Sequence, residues 1–273
     1  MSPENIRLAI KWASNEGWNP GLHDDECFYA ADPNGFFIGK LNGEPIGCIS
    51  AVKYEDKFGF VGLYIVKEEY RGKGYGIALW NKAMEYLAGC NAGLDGVVAQ
   101  QENYKKSGFV LAHRNIRYEL KEKPQEILLD KNIVPADAVS YNLLATYDKT
   151  HFLYSRDAFL RKWIEQPNAA CHVYLEEGGI RGYGVIRECG NGFKIGPLFC
   201  DTPAIAKNLF ASLVSTTSGG SIYLDVTELN PDAAELVEKY GMTKVFETAR
   251  MYTHGDLCLP LKNIFGITSF ELG

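Results

Sequence analysis

Six consecutive residues, Arg71-Gly-Lys-Gly-Tyr-Gly76, put three glycines and two cations into one short turn. Glycines let a ligand approach backbone N–H groups, and a helix that starts beside them adds unpaired donors and a dipole favouring negative charge. The chemistry this supplies is anion binding, with phosphate or pyrophosphate as the guest. Upstream, Phe60, Val61, Leu63, Ile65 and Val66 make a β-rich apolar run. From Gly74 onward, Ile77, Leu79, Trp80, Ala83, Met84 and Leu87 recur mostly at intervals of three and four. A strand therefore hands over to an amphipathic helix. A tight strand-to-helix connection is the purely structural alternative. Other phosphate motifs fit less well: G-x-x-x-x-G-K-[ST] does not occur, and Gly72, Gly74 and Gly76 have the wrong interval for G-x-G-x-x-G. Asp95 falls at a suitable distance for a ribose acid, but it is expected to precede the next strand instead of ending it.

The spacing Arg71-x-x-Gly74-x-Gly76 after a strand closely resembles the acyl-CoA pyrophosphate loop of the GNAT superfamily of N-acyltransferases. Downstream, Tyr104-Lys-Lys-Ser-Gly108-Phe109 resembles the Y-x-x-x-G-F signature that closes a GNAT acyl-CoA site. The resemblance covers Phe36 to Leu120 well. It implies an α/β (α+β) fold with a central mixed, mostly antiparallel sheet flanked by helices, and acetyl-CoA as co-substrate. Backbone groups of Tyr64, Ile65 and Val66 would then bind the pantetheine arm and polarise the thioester carbonyl. Arg71, Gly72, Lys73, Gly74, Tyr75 and Gly76 would hold the pyrophosphate. Tyr104 would be the general acid that returns a proton to the departing thiolate. Where the family often has an asparagine seven residues before that tyrosine, this chain has Val97, so contact with the arm passes to Gln100, Gln101 or Asn103, and Asn103 joins the cofactor-binding set.

The chain also repeats itself. Lys105-Lys-Ser-Gly108-Phe109 returns as Glu238-Lys-Tyr-Gly241-Met242, and Arg117-Tyr118 as Arg250-Met-Tyr252, both offset by 133 positions. Asn42-Gly-Glu-Pro-Ile-Gly47 has a counterpart in Glu177-Gly-Gly-Ile-Arg-Gly182. The pattern predicts two GNAT-like domains, with Val173 to Tyr252 a divergent copy. The boundaries are 1–122 for the acetyl-CoA-binding domain, 123–135 for a linker containing Pro124 and Pro135, 136–258 for the degenerate domain, and 259–273 for a tail suited to an edge strand. In the copy, the anion turn should recur near 204–211, where Asp201-Thr-Pro203 instead reads as an ordinary capped helix start, and Tyr104 maps to Val237. Asn230-Pro231 reads as a second such start. The second half is therefore expected to be unable to bind CoA.

Composition narrows the remaining options. A formal charge of -6 with pI near 5.5 argues against nucleic acid as a partner. No apolar run approaches a bilayer span, and the start MSPENIRLAIKWA lacks the marks of a secretory signal, so the expected location is cytoplasmic with no membrane partner. Seven cysteines without a C-x-x-C pair fit reduced core thiols, and five scattered histidines give no metal site. Cys27 and Cys48 lack a histidine partner that would make them acyl carriers. The acceptor is expected to be a small-molecule or peptide amine. The loop from Glu16 to Tyr29 offers Trp18, Asp24 and Phe28 to hold it, and Asp225 and Glu228, at the end of the predicted strand Ser221 to Val226, offer a contribution from the second half. The reading is an N-acetyltransferase in which the amine attacks acetyl-CoA directly in a ternary complex. The alternative is a non-catalytic CoA or acyl-CoA sensor, and a homodimer is compatible with either.

Overall fold

The computed structural model describes residues 1–124 and 130–273, so the middle of the expected linker, 125–129, lies outside the described residues. The first half runs α1 (Pro3–Asn15), α2 (Asp24–Ala31), β1 (Phe36–Leu41), β2 (Glu44–Tyr54), β3 (Phe58–Val66), α3 (Tyr75–Tyr86), β4 (Asn91–Val97), α4 (Gln101–Lys106) and β5 (Val110–Leu120). The second half opens on a short β6 (Ile133–Pro135) and then repeats that order. It runs α5 (Tyr141–Phe152), α6 (Asp157–Glu165), β7 (Ala169–Glu176), β8 (Gly179–Glu188), β9 (Phe193–Cys200), α7 (Pro203–Ser215), β10 (Ile222–Thr227), α8 (Pro231–Lys239) and β11 (Thr243–Tyr252). A last strand, β12 (Ile264–Gly266), has no counterpart in the first half. Local signals account for the helix starts. Ser2 caps α1 in a capping box with Asn5, and Ile6, Ala9, Trp12 and Ala13 form its buried stripe. Asn230 caps α8 by accepting from the Ala233 N–H at 3.2 Å.

Among the described residues all twelve strands belong to one sheet, ordered β1-β2-β3-β4-β11-β5-β10-β9-β8-β7-β6, with β12 paired to β9 off this path. Most pairs are antiparallel. The exceptions are β3 with β4 and, at the equivalent place, β9 with β10. The halves exchange their last strands: β11 lies between β4 and β5, and β5 lies between β11 and β10. Each half thus borrows a strand to complete its sheet.

Two buried ion pairs follow the same exchange. Arg117 of β5 grips Asp225 of β10 at 2.6 and 2.7 Å, and Arg250 of β11 grips Asp95 of β4 at 3.0 and 2.6 Å. The arginines that mark the sequence repeat therefore each tie one half to the other. Removing one partner of such a pair leaves an uncompensated buried charge, at a cost of about 3–5 kcal/mol.

The tail is not an edge strand, contrary to the sequence expectation. Ile264 pairs with Phe199 and Gly266 with Leu198, while the Ile267 N–H donates to the Asp225 carbonyl at 2.9 Å. The segment therefore lies inside the sheet, between β9 and β10. Gly266 packs closely there, and a Cβ would come 2.6 Å from the Leu224 side chain.

Candidate functional site

Strands β3 and β4 pair only from Phe58↔Asn91 to Val61↔Leu94 and then diverge. A bulge in β3 accompanies the divergence: between Cys48↔Ile65 and Ser50↔Gly62, two residues oppose one, and Leu63 takes φ 44°. Backbone groups from Gly62 to Val66 are left without a β4 partner. The result is a cleft of about 720 Å³ lined by Tyr64, Ile65 and Val66 from β3, Asp95 to Val97 from β4, and Gln100, Asn103 and Tyr104 beyond it. Asp95 lies within β4, not before it, and its carboxylate is taken by Arg250.

At the mouth of the cleft, Gly72 and Gly74 both adopt the left-handed conformation, with φ 73° and 86°, which a side chain would strain. Gly74 is the N-cap of α3 but offers no side-chain cap, and the first turn of α3 carries no acid. Among the described residues the N–H groups there have no partner, and no acid in the first turn opposes the helix dipole. Gly76 packs close to Tyr64, so that a Cβ there would come 2.7 Å from the Tyr64 hydroxyl and push that side chain aside. Arg71, Gly72 and Gly76 line the cleft. Arg71 is anchored there, donating from Nε to the Val66 carbonyl at 2.8 Å and pairing with Glu16.

Two residues expected in the pyrophosphate set turn away from the cleft. Lys73 Nζ donates to the Glu69 carbonyl at 2.9 Å, and the Tyr75 ring packs edge-on against Tyr70 and lines a separate groove along β1. The turn meets the cleft through Arg71, Gly72 and Gly76, and not through these two side chains.

Tyr104 enters the cleft from α4, its ring against Trp80 at 5.7 Å and over Gly96, where a Cβ would come within 2.3 Å of it. Its hydroxyl makes no hydrogen bond among the described residues. Burial, with the neighbouring Tyr64 adding to it, pushes the phenol up to about 12, so it stays protonated and available as a donor. Asn103 lines the same wall and donates to Gln100 at 2.7 Å, whereas Gln101 does not reach the cleft.

The acceptor side departs from the sequence expectation. Of the five residues proposed for it, Trp18 alone lines the cleft. Asp24 is 1% exposed and held by Arg187 at 2.8 and 3.2 Å. Burial alone would raise its pKa, but the charge and hydrogen bonds of Arg187, with Lys194 beyond, keep it below the ordinary carboxylate value. Phe28 is a core residue stacked on Trp163. Asp225 sits one shell behind the cleft, gripping Arg117, which does line it. Glu228 is exposed and its carboxylate accepts from the Arg114 N–H at 2.8 Å.

Sequence reasoning missed Arg117, Phe246, Thr248, Phe270 and Glu271, which line the same cleft as Trp18. The Arg117 guanidinium lies over the Phe270 ring at 4.6 Å and donates to the Trp18 carbonyl at 2.9 Å. Arg117 was detectable through its repeat in Arg250; the two tail residues had no comparable signal. Cys27 and Cys48 are buried and their thiols pushed up to about 12, which suits structural residues.

The equivalent place in the second half is built differently. There the Thr202 hydroxyl caps the Ile205 N–H at 3.3 Å, Pro203 has no N–H to offer, and Asp201 precedes them. The position of Tyr104 is taken by buried Val237. The gap between β9 and β10 is filled by the tail.

Comparison with known proteins agrees with this geometry. The sequence profile of the acetyltransferase (GNAT) family matches residues 5–109, and that of an acetyltransferase (GNAT) domain matches 144–266. A holothin acyltransferase from Pseudoalteromonas sp. is 31% identical over 273 residues, covering 100% of this chain and 92% of its own. A candidate acetyltransferase from Pyrococcus horikoshii superposes with TM-score 0.85 at 23% identity, over 100% of this chain and 94% of that one. A tandem GNAT protein from the clavulanic acid biosynthesis pathway superposes with TM-score 0.64 at 10% identity, over 92% of this chain and 96% of its own.

Proposed function

The chain belongs to the GNAT acetyltransferase family as a tandem of two such domains, and we propose that it transfers an acetyl group from acetyl-CoA to a primary amine by direct attack in a ternary complex. The observation that carries this reading is the junction of the uncapped start of α3 with the open β3–β4 gap, because it aligns an anion cradle with a slot for the pantetheine arm. Backbone N–H groups of the Gly72–Gly76 turn would take the pyrophosphate. The edge of Gly62 to Val66 that has no β4 partner would bind the arm and polarise the thioester carbonyl. The name of the Pseudoalteromonas relative supports acyl transfer as the reaction. The cleft's aromatic wall of Trp18, Phe246 and Phe270 fits the body of a small amine.

Tyr104 would act on the leaving group. A phenol near 12 is a weaker acid than a thiol near 8.5, so its part is to donate a hydrogen bond to sulfur as charge develops, without surrendering its proton outright. The deciding assay measures thiol release from acetyl-CoA over a panel of amines. Amine-dependent release is the expected result, and saturable acetyl-CoA binding with no release for any amine would establish the sensor reading instead.

A further inference from the structure

Acyl transfer needs a proton acceptor for the attacking amine, and neither Tyr104 nor the anion turn provides one. The C-terminal tail brings a candidate. After Ile267 the chain crosses from the second half to the first: Thr268 Oγ1 accepts from Arg156 at 2.9 Å, and the Leu272 carbonyl accepts from the Tyr54 hydroxyl at 3.0 Å. Between these anchors, the Glu271 carbonyl packs so closely on β3 that a Cβ at Gly62 would meet it at 2.2 Å. Glu271 thus lines the cleft beside Phe270, Arg117 and Thr248, next to the bulge of β3. The residue is 5% exposed. Its carboxylate joins no ion pair and accepts no hydrogen bond among the described residues, yet its oxygens are not among the buried polar atoms sealed from solvent. A carboxylate this buried and unpartnered is costly unless a ligand uses it.

We propose that Glu271 is the proton acceptor for the amine, delivered to the first-half site by the tail of the second half; this rests on the acyl-transfer reading above. The amine nitrogen bonds to the thioester carbonyl carbon, the C–S bond breaks, and one N–H proton passes to Glu271. Sulfur leaves with the bonding pair as a thiolate hydrogen-bonded to Tyr104. Glu271 then releases its proton to solvent before the next turnover.

The surroundings suit this role. The charged groups around the carboxylate are Lys194 from β9, Arg117 from β5 with its partner Asp225 on β10, and Asp24 from α2 with its partner Arg187 on β8. Burial raises the Glu271 pKa, while Lys194 and Arg117 pull it back. A carboxyl raised toward working pH is a better base than an exposed one. Lys194 is itself lowered to about 8, by burial first and by Arg117 next, and donates to the Asn19 carbonyl at 2.8 Å.

The test is steady-state kinetics of Glu271→Gln with acetyl-CoA and the best amine of the panel, beside Lys194→Met. Glu271→Gln should lower kcat/KM by roughly 10²–10⁴-fold and abolish the acid limb of its pH profile, with acetyl-CoA affinity changed by no more than about twofold. Lys194→Met removes the charge that holds the carboxyl down, so the acid limb should move to higher pH, a shift that a purely structural role would not produce. Activity of Glu271→Gln within about threefold of wild type would overturn the proposal, as would an acid limb unmoved in Lys194→Met. If Glu271→Gln loses acetyl-CoA binding, tail packing has failed and the Lys194→Met profile decides alone. A wild type that releases no thiol with any amine refutes acyl transfer itself, and the role of Glu271 falls with it.

Discussion

The protein contains two parallel strand pairs, β3–β4 and β9–β10, that diverge at the same point of a duplicated fold, and each has met a different fate. In the first, a glycine turn leaves the start of α3 uncapped and the gap opens as a cleft. In the second, Thr202 and Pro203 use up the helix start, and the chain's own Ile264 to Ile267 lies in the gap, bonded to both β9 and β10. A gap in a sheet exposes backbone donors and acceptors that must be satisfied by something. A thioester arm can do this in one half, and a covalently attached strand does it in the other. Losing the anion turn therefore did not leave the second half idle. Its filler strand continues into Phe270 and Glu271, and its β10 supplies the Asp225 that fixes Arg117, so the second half builds one wall of the first half's site.

This comparison can be broken at the seam, at the anion turn or at the filler strand. The largest effect is expected at the seam. Asp225→Ala should destabilise the protein by about 3–5 kcal/mol in denaturant unfolding, because Arg117 is left buried and unpaired, whereas Glu228→Ala, three residues on but exposed, should stay within about 0.5 kcal/mol. Equal losses would mean that the buried pair does not tie the halves together.

Next comes the turn. Gly74→Glu adds a side chain at φ 86° and a negative charge at the cradle, so acetyl-CoA affinity should fall on the order of 100-fold or more by calorimetric titration, with circular dichroism unchanged. Ala204→Glu, in the first turn of α7, should leave affinity within about twofold, since Thr202 and Pro203 already take up that helix start. The filler strand gives the smallest change: Gly266→Val, which crowds Leu224, should cost about 1–3 kcal/mol of stability. It should lower turnover more than acetyl-CoA binding, by shifting the tail that carries Glu271.

What could be read from the sequence was what is encoded within a few residues. The run from Phe60 to Leu87 announces strand, turn and helix, Tyr104 sits at a motif spacing, and Asn230-Pro231 and Thr202-Pro203 start helices as expected. The repeat offset also gave the duplication. The exchange of β5 and β11 was not legible, because a strand's local pattern states its burial and not its neighbour. The acceptor residues failed for a related reason. Asp24 and Phe28 look chemical in a loop, but α2 packs on the second half, where Arg187 and Trp163 absorb them. Glu271 fell in a tail expected to add an edge strand, and contacts far apart in sequence, such as that of its carbonyl with Gly62, 209 positions away, give it a place beside the cleft.

The central claim, that one of two homologous gaps takes an acyl-CoA while the other is closed by its own chain, is tested most directly by the stoichiometry of acetyl-CoA binding to the wild-type protein in a calorimetric titration. The account predicts one equivalent per chain. Two equivalents would show that the filler strand yields to ligand and that the second half is not a closed copy, and no binding would remove the acyl-CoA site from the first half.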